Sequence, residues 1–262
     1  MLKTNIFVEL IDTHCHLYLP EFDNDLPGIF ERAATSGVKK FYLPAIDSSF
    51  MNAMVNLEYK FPKKCFGMAG LHPCSVNHNY KEELKNVENH LQKRSFAAIG
   101  EIGLDFYWST EFSKQQYEVF EVQMQWALQK KLPIVIHTRN AMQETIDFVK
   151  PFAAKGLTGI FHCFGDSYSN AEKIIDMGFL LGIGGVLTYK KSGLDEVVKQ
   201  IDLKHIVLET DAPYLTPVPF RGKRNESSYI KIIAEKLAAV KNISLEEVAS
   251  ITTANAEKVF SN

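Results

Sequence analysis

No two cysteines of this chain stand in a C-x-x-C pair. The four present, Cys15, Cys65, Cys74 and Cys163, are scattered over 262 residues. Such spacing excludes a disulfide framework and predicts free thiols in a reducing compartment. No stretch approaches the roughly 20 apolar residues that span a bilayer as a helix. The first residues bring Lys3, Glu9 and Asp12 and no apolar core ahead of a cleavage site, so no secretory leader and a cytoplasmic location are expected. An excess of one charge sign is missing too. A net charge of -2 argues against a protein that coats nucleic acid through a broad basic face. Linkers, low-complexity tracts and long charge runs are also absent, and residues 1–262 read as a single domain with enough length for a large core.

What the chain does have is rhythm. Short apolar, β-branched or aromatic segments recur every 22 to 36 residues or so, the scale of βα units. They cover 7–11, 40–43, 66–70, 96–100, 133–136, 159–161, 179–183 and 206–208. Continuous rather than alternating apolar runs suit parallel strands covered on both faces. Helical patterns lie between them. Ser113-Lys114-Gln115-Gln116 reads as a capping box that opens a helix to about Lys131, ended by Pro133, and Ser244-Leu245-Glu246-Glu247 opens a late helix in the same way. Eight strands alternating with helices predict an α/β fold, a (β/α)8 barrel, with a doubly wound open sheet as the alternative.

The polar residues favour the barrel, because nearly every strand ends in one that can do chemistry. His14 and His16 follow the first strand two residues apart, so an extended backbone points both imidazoles to one side. His72 follows the third, Glu101 the fourth, His137 the fifth, His162 the sixth and Asp211 the eighth. His14, His16, His137, His162, Glu101 and Asp211 offer too many donors for one tetrahedral ion and about the number that two ions need when they share a carboxylate. Cys15 and Cys163 adjoin candidate ligands. On a strand their side chains point the other way, which predicts packing roles.

At this point the motifs as a set become specific. Asp12-Thr13-His14-Cys15-His16-Leu17, Gly70-Leu71-His72-Pro73, Gly100-Glu101-Ile102-Gly103-Leu104-Asp105 and Phe161-His162-Cys163-Phe164 resemble the TatD family of metal-dependent deoxyribonucleases, a branch of the amidohydrolase superfamily. The resemblance continues through 209–215, 221–226 and 253–256, and so covers essentially the whole chain in order. It implies that His14, His16 and Asp211 hold one divalent ion and His137 and His162 a second, with Glu101 bridging. It also implies Mg²⁺, Mn²⁺ or Zn²⁺ as the metal, and hydrolysis of DNA at its ends. Asp211 suits the role of base toward the attacking water, with Glu101 as its catalytic partner. Two positions depart from the family pattern. Tyr18 replaces an acidic residue and Ser227 a proline, and neither is expected to touch a ligand.

Substrate contacts are sought next to the ligands. The proline-stiffened loop after Asp211 carries Arg221, Lys223 and Arg224, which are expected to hold phosphate. His72 is a further phosphate or leaving-group contact. Phe106-Tyr107-Trp108, just beyond Glu101, either stacks on unpaired bases or packs as a loop. The expected partner is single-stranded or frayed DNA, with no membrane and no evident protein partner. RNA is an alternative substrate, and D-aminoacyl-tRNA is the substrate of an alternative ester or amide hydrolase. A non-catalytic metal-binding protein is the third reading, disfavoured because every ligand position and the base are retained.

Overall fold

The short apolar runs form eight parallel strands in the computed structural model, which describes residues 8–261. They are β1 (Leu10–Asp12), β2 (Val38–Pro44), β3 (Cys65–Met68), β4 (Ile99–Asp105), β5 (Ile134–Arg139), β6 (Gly159–Phe161), β7 (Leu180–Ile183) and β8 (Ile206–Leu208). Between them run α1 (Leu26–Thr35), α2 (Ser48–Lys60), α3 (Tyr80–Lys93), α4 (Ser113–Lys130), α5 (Met142–Ala153), α6 (Tyr168–Asp176) and α7 (Leu194–Gln200). Two more helices, α8 (Ile230–Lys241) and α9 (Leu245–Phe260), follow the last strand.

Strands β1 to β3 form one ladder and β4 to β8 another. Backbone hydrogen bonds stitch both seams. At one seam the Ala69 amide donates to the Ala98 carbonyl at 3.2 Å, and the Gly100 amide to the Ala69 carbonyl at 2.9 Å. At the other, Thr13 donates to Leu208 at 3.1 Å, Asp211 to His14 at 2.9 Å and His16 to Ala212 at 2.7 Å. Among the described residues no open edge of the doubly wound kind remains, and the fold is the (β/α)8 barrel that the strand rhythm predicts. Asp12 reinforces the second seam. Its fully buried carboxylate accepts from the Thr210 amide at 2.9 Å and hydroxyl at 2.6 Å, and burial pushes its pKa up to about 7.

Inside the strands, Ile11, Tyr42, Met68, Ala98, Val135, Ile160 and Val207 make one buried cluster. Alternation places Val135 on the face of His137 and Ile160 on that of His162, so this cluster is the floor beneath the functional rim. Helix α9 plugs the lower end, where Phe260 stacks on Tyr42 with ring centroids 3.7 Å apart. A second, larger cluster fills the space between strands and helices, with Phe41, Phe120, Phe161 and Leu181 fully or almost fully buried.

Several elements differ from their sequence reading. β1 is Leu10–Asp12 rather than 7–11, and Phe7 lies outside the described residues. β4 starts later and runs to Asp105, so Glu101 stands within the strand rather than past its end. The cause is a bulge: Gly100 pairs with Val135 and Ile102 with Ile136, and Glu101 is the extra residue that opposes nothing. Ser113 does not cap α4. Phe112 holds the cap position without a side-chain bond, and the helix ends where Lys131 turns left-handed, at φ 56°. Ser244 does cap α9, its hydroxyl accepting from the Glu247 amide at 3.1 Å.

Candidate metal centre

The bulge in β4 aims the Glu101 carboxylate up into the barrel mouth, where it is buried among imidazoles. Its two oxygens face different groups. Oε2 lies 3.1 Å from His14 Nε2 and 3.7 Å from His16 Nε2. Oε1 lies 3.0 Å from His162 Nε2 and 3.0 Å from His137 Nδ1. Asp211 Oδ1 completes the first group, 3.6 Å from both His14 Nε2 and His16 Nε2. Asp211 holds a left-handed backbone at φ 57°, a conformation few residues other than glycine adopt and one often found at functional sites. Asn225 straps its loop by donating to the carbonyls of Thr210 at 2.7 Å and Tyr214 at 2.6 Å.

Three of the four imidazoles are held from behind. The Tyr18 hydroxyl donates to the Pro44 carbonyl at 2.6 Å and therefore accepts from His16 Nδ1–H at 2.9 Å. Asp105 Oδ2 takes the Nε2–H of His137 at 2.8 Å. Glu209 Oε1 lies 3.2 Å from Nδ1 of His162, at ion-pair distance though without hydrogen-bond alignment. The hydrogen bonds to Tyr18 and Asp105 fix the tautomers of His16 and His137 and leave the opposite nitrogen of each bare toward the centre, and the Glu209 charge orients His162. His14 stacks on His162 at 3.8 Å, and its buried Nδ1 has no partner among the described residues. Asp105 and Glu209 were not assigned roles from the sequence, and Tyr18 was expected to touch no ligand. All three sit against candidate ligands.

The electrostatics follow from burial and crowding. Burial raises the pKa of Glu101, but His162, His14 and His72 pull it well below the usual carboxylate range. Burial likewise raises Asp211, and the imidazoles of His16, His162 and His14 close by bring it below its ordinary value. Burial lowers His162, yet Glu101 and Glu209 outweigh it and hold that imidazole well above its ordinary pKa. Asp105 is drawn down to about 2 by His137 and by the Tyr107 and Trp108 amides, against the effect of burial. Bare nitrogens and carboxylate oxygens converge within 3.0–3.7 Å in two sets that share Glu101. Lone pairs crowded in this way need cations between them, so the donor set fits divalent metal ions. His14, His16 and Glu101 form one such cluster and Glu101, His137 and His162 another.

The centre forms the wall of a chamber of about 760 Å³ lined by His16, His72, Glu101, His137, His162 and Asp211. His72 accepts from the Cys74 amide through Nδ1 at 3.0 Å, so its proton sits on Nε2, 3.5 Å from Glu101 Oε1. His72, Cys74 and His137 also converge, but burial raises the Cys74 thiol to about 12 and keeps it protonated. Cys163 does not pack behind a strand. β6 ends at Phe161, and Cys163 sits in a left-handed turn at φ 49°, where it lines the chamber.

The basic loop stands apart from the chamber. None of Arg221, Lys223 and Arg224 lines the chamber. Arg224 pairs with both oxygens of Asp25, at 2.8 and 2.7 Å. Arg221 lies over the Tyr189 ring at 4.4 Å, and the Lys223 ammonium is 5.8 Å from the Phe220 ring. Among the described residues the Lys or Arg side chain on the chamber wall is that of Arg139, to which the sequence alone assigns no role.

Comparison with known proteins agrees with this geometry. The profile of the TatD related DNase family matches residues 11–261. An uncharacterized metal-dependent hydrolase of Bacillus subtilis, YabD, is 38% identical over 254 residues, covering 96% of this chain and 98% of its own. YcfH of Escherichia coli K12, also an uncharacterized metal-dependent hydrolase, is 29% identical over 255 residues, covering 96% of this chain and 95% of its own. The crystal structure of YjjV, a TatD homologue from Escherichia coli K12, superposes with a TM-score of 0.91 at 26% identity, covering 98% of this chain and all of that one. The chain therefore belongs to the TatD-related DNase family and is a metal-dependent hydrolase.

Proposed function

We propose that the chain is a phosphodiesterase that removes nucleotides from single-stranded or frayed DNA ends, with two divalent ions shared across Glu101. The division of the Glu101 carboxylate carries this reading: Oε2 serves the His14, His16 and Asp211 group and Oε1 the His137 and His162 group. Bound divalent ions supply Lewis acidity, which polarises a phosphate oxygen and makes water a nucleophile near neutral pH. Asp211, on the chamber wall and with its pKa held below the ordinary value, would take the proton of an attacking water. His72 presents Nε2–H toward the same space, where it can hold a phosphate oxygen or protonate the leaving oxygen. Glu209, Asp105 and Tyr18 keep the imidazoles aimed inward.

The test is direct. Metal-loaded protein is incubated with end-labelled single strands and, separately, with D-aminoacyl-tRNA. Release of nucleotides from the strand, abolished by Asp211→Asn in folded protein, supports the reading. Deacylation without DNA hydrolysis would replace it with the esterase alternative.

A further inference from the structure

Beyond Asp105 the chain makes a loop whose aromatic side chains go to different places. Phe106 is partly buried and packs on the core near Tyr117, and its amide donates to the Arg139 carbonyl at 2.9 Å. Tyr107 and Trp108 turn outward instead, half and 70% exposed. Asp105 Oδ1 holds the loop by accepting from the Tyr107 amide at 2.9 Å and the Trp108 amide at 3.3 Å, while Oδ2 of the same carboxylate holds His137. The exposed indole is thus presented on a fixed support tied to a candidate ligand. It lines the same chamber as Glu101 and Asp211.

Arg139 stands beside it. Its guanidinium lies 3.7 Å from the Tyr107 ring centroid and 5.2 Å from that of Trp108. Among the described residues it makes no ion pair and its side chain donates no hydrogen bond, which leaves its donors for a ligand. A planar cation flanked by exposed rings offers a phosphate clamp and a stacking face a few ångströms apart, the spacing of a base and its backbone phosphate. Apolar area of this size is costly to leave in water, and the unpaired cation makes an apolar protein surface a poor occupant.

We infer that Trp108, Tyr107 and Arg139 form a nucleotide subsite at the chamber mouth: an unpaired base stacks on Trp108 and the adjacent phosphate meets Arg139. The inference rests on the phosphodiesterase reading and names how that site holds its strand. It requires a single-stranded substrate, because a paired base cannot reach the indole face.

The chain has two tryptophans, Trp108 and Trp126, so Trp126→Phe leaves Trp108 as the only indole reporter. That protein, stripped of metal with a chelator to prevent turnover, is titrated with an eight-residue oligothymidylate and with an abasic strand of the same length. Saturable quenching of Trp108 emission by the first and not by the second is expected. Trp108→Ala should weaken binding by about 5- to 150-fold, the loss of one base stack. Arg139→Ala should lower the salt slope by about one phosphate contact. Arg139→Lys, which keeps the charge, should restore most of that slope. Both variants alter exposed side chains, so their circular dichroism and denaturant midpoints should match wild type, and a loss of binding then reports the subsite and not the fold. If the metal-loaded wild type cleaves single strands while Trp108→Ala and Arg139→Ala bind and cleave them equally well, the subsite is overturned and the phosphodiesterase reading stands. If the wild type neither binds nor cleaves any polynucleotide, the phosphodiesterase reading fails and the subsite with it.

Discussion

The Tyr18 hydroxyl lies 2.9 Å from Nδ1 of His16, and its own proton is committed to the Pro44 carbonyl at 2.6 Å. The phenol therefore acts on His16 only as an acceptor, and the lone pair of Nε2 must face Glu101 and Asp211. Tyr18→Phe removes that acceptor and leaves a buried N–H unpaired or the ring in the other tautomer. Metal affinity should fall by about 10- to 100-fold, the usual effect of deleting a group behind a histidine ligand. Titration calorimetry with Mn²⁺ measures it. Unchanged affinity would show that His16 needs no such support.

Glu209 acts on His162 through its charge, 3.2 Å from Nδ1, where Tyr18 acts on His16 through a hydrogen bond. Glu209→Gln keeps the side chain's size but gives up its charge, so His162 should lose both orientation and basicity. The metal-free protein then offers a lower imidazole pKa, because one of the carboxylates that raises it is gone. Metal and proton compete for the same Nε2, so the apparent affinity of the wild type should rise with pH through the His162 pKa. In Glu209→Gln that rise should move to lower pH. An identical pH profile in both proteins contradicts the pairing.

Arg224 offers a contrast. Its bidentate contact with Asp25 is partly in solvent, with 32% and 39% of the two side chains exposed, so Arg224→Ala should cost about 0.2–1 kcal/mol of stability. It should leave kcat/KM on single strands unchanged within about twofold, where a phosphate ligand would cost a tenfold factor or more. A large loss of activity in a stable Arg224→Ala protein would return the residue to the substrate.

Glu226 is buried beneath Arg32, with contacts of 2.8, 3.1 and 2.7 Å. Burial raises its pKa, but the Arg32 hydrogen bonds prevail and hold it below the ordinary value. A depressed carboxylate contributes stability that is complete above its unfolded pKa, about 4.3, and is lost as pH falls through the folded value. Glu226→Gln should destabilise the protein at pH 7 by about 1–2 kcal/mol, discounted because Arg32 is half exposed, and should flatten the loss of stability below pH 4.5 or so. Denaturant midpoints across that range report it. An unchanged acid limb would mean that the pair contributes nothing.

Much of this was legible in the sequence because strand and ligand signals are local. Gly159–Phe161 and Ile206–Leu208 are apolar runs with sharp ends, and His14, His16, His137 and His162 follow such runs at once. What escaped depends on register between distant segments. Glu101 was identified, but the bulge that turns it inward is visible only when Gly100 and Ile102 are paired with consecutive residues of β5. Asp105 meets His137 across the β4–β5 ladder, and Glu209 meets His162 across 47 positions of sequence. Lone acids in apolar surroundings were the available signal for both. The basic loop reads as a phosphate site because three cations stand close together, and the pairing of Arg224 with Asp25, far away in sequence, is visible only in the fold.

The central claim is that Glu101 divides its carboxylate between two divalent ions. Anomalous diffraction from crystals of the Mn²⁺-loaded protein measures this most directly. The account predicts two manganese peaks, one within about 2.0–2.3 Å of the nitrogens of His14 and His16 and the other equally close to those of His137 and His162, with Glu101 touching both. A single peak, or a pair of which Glu101 touches one or neither, would contradict it.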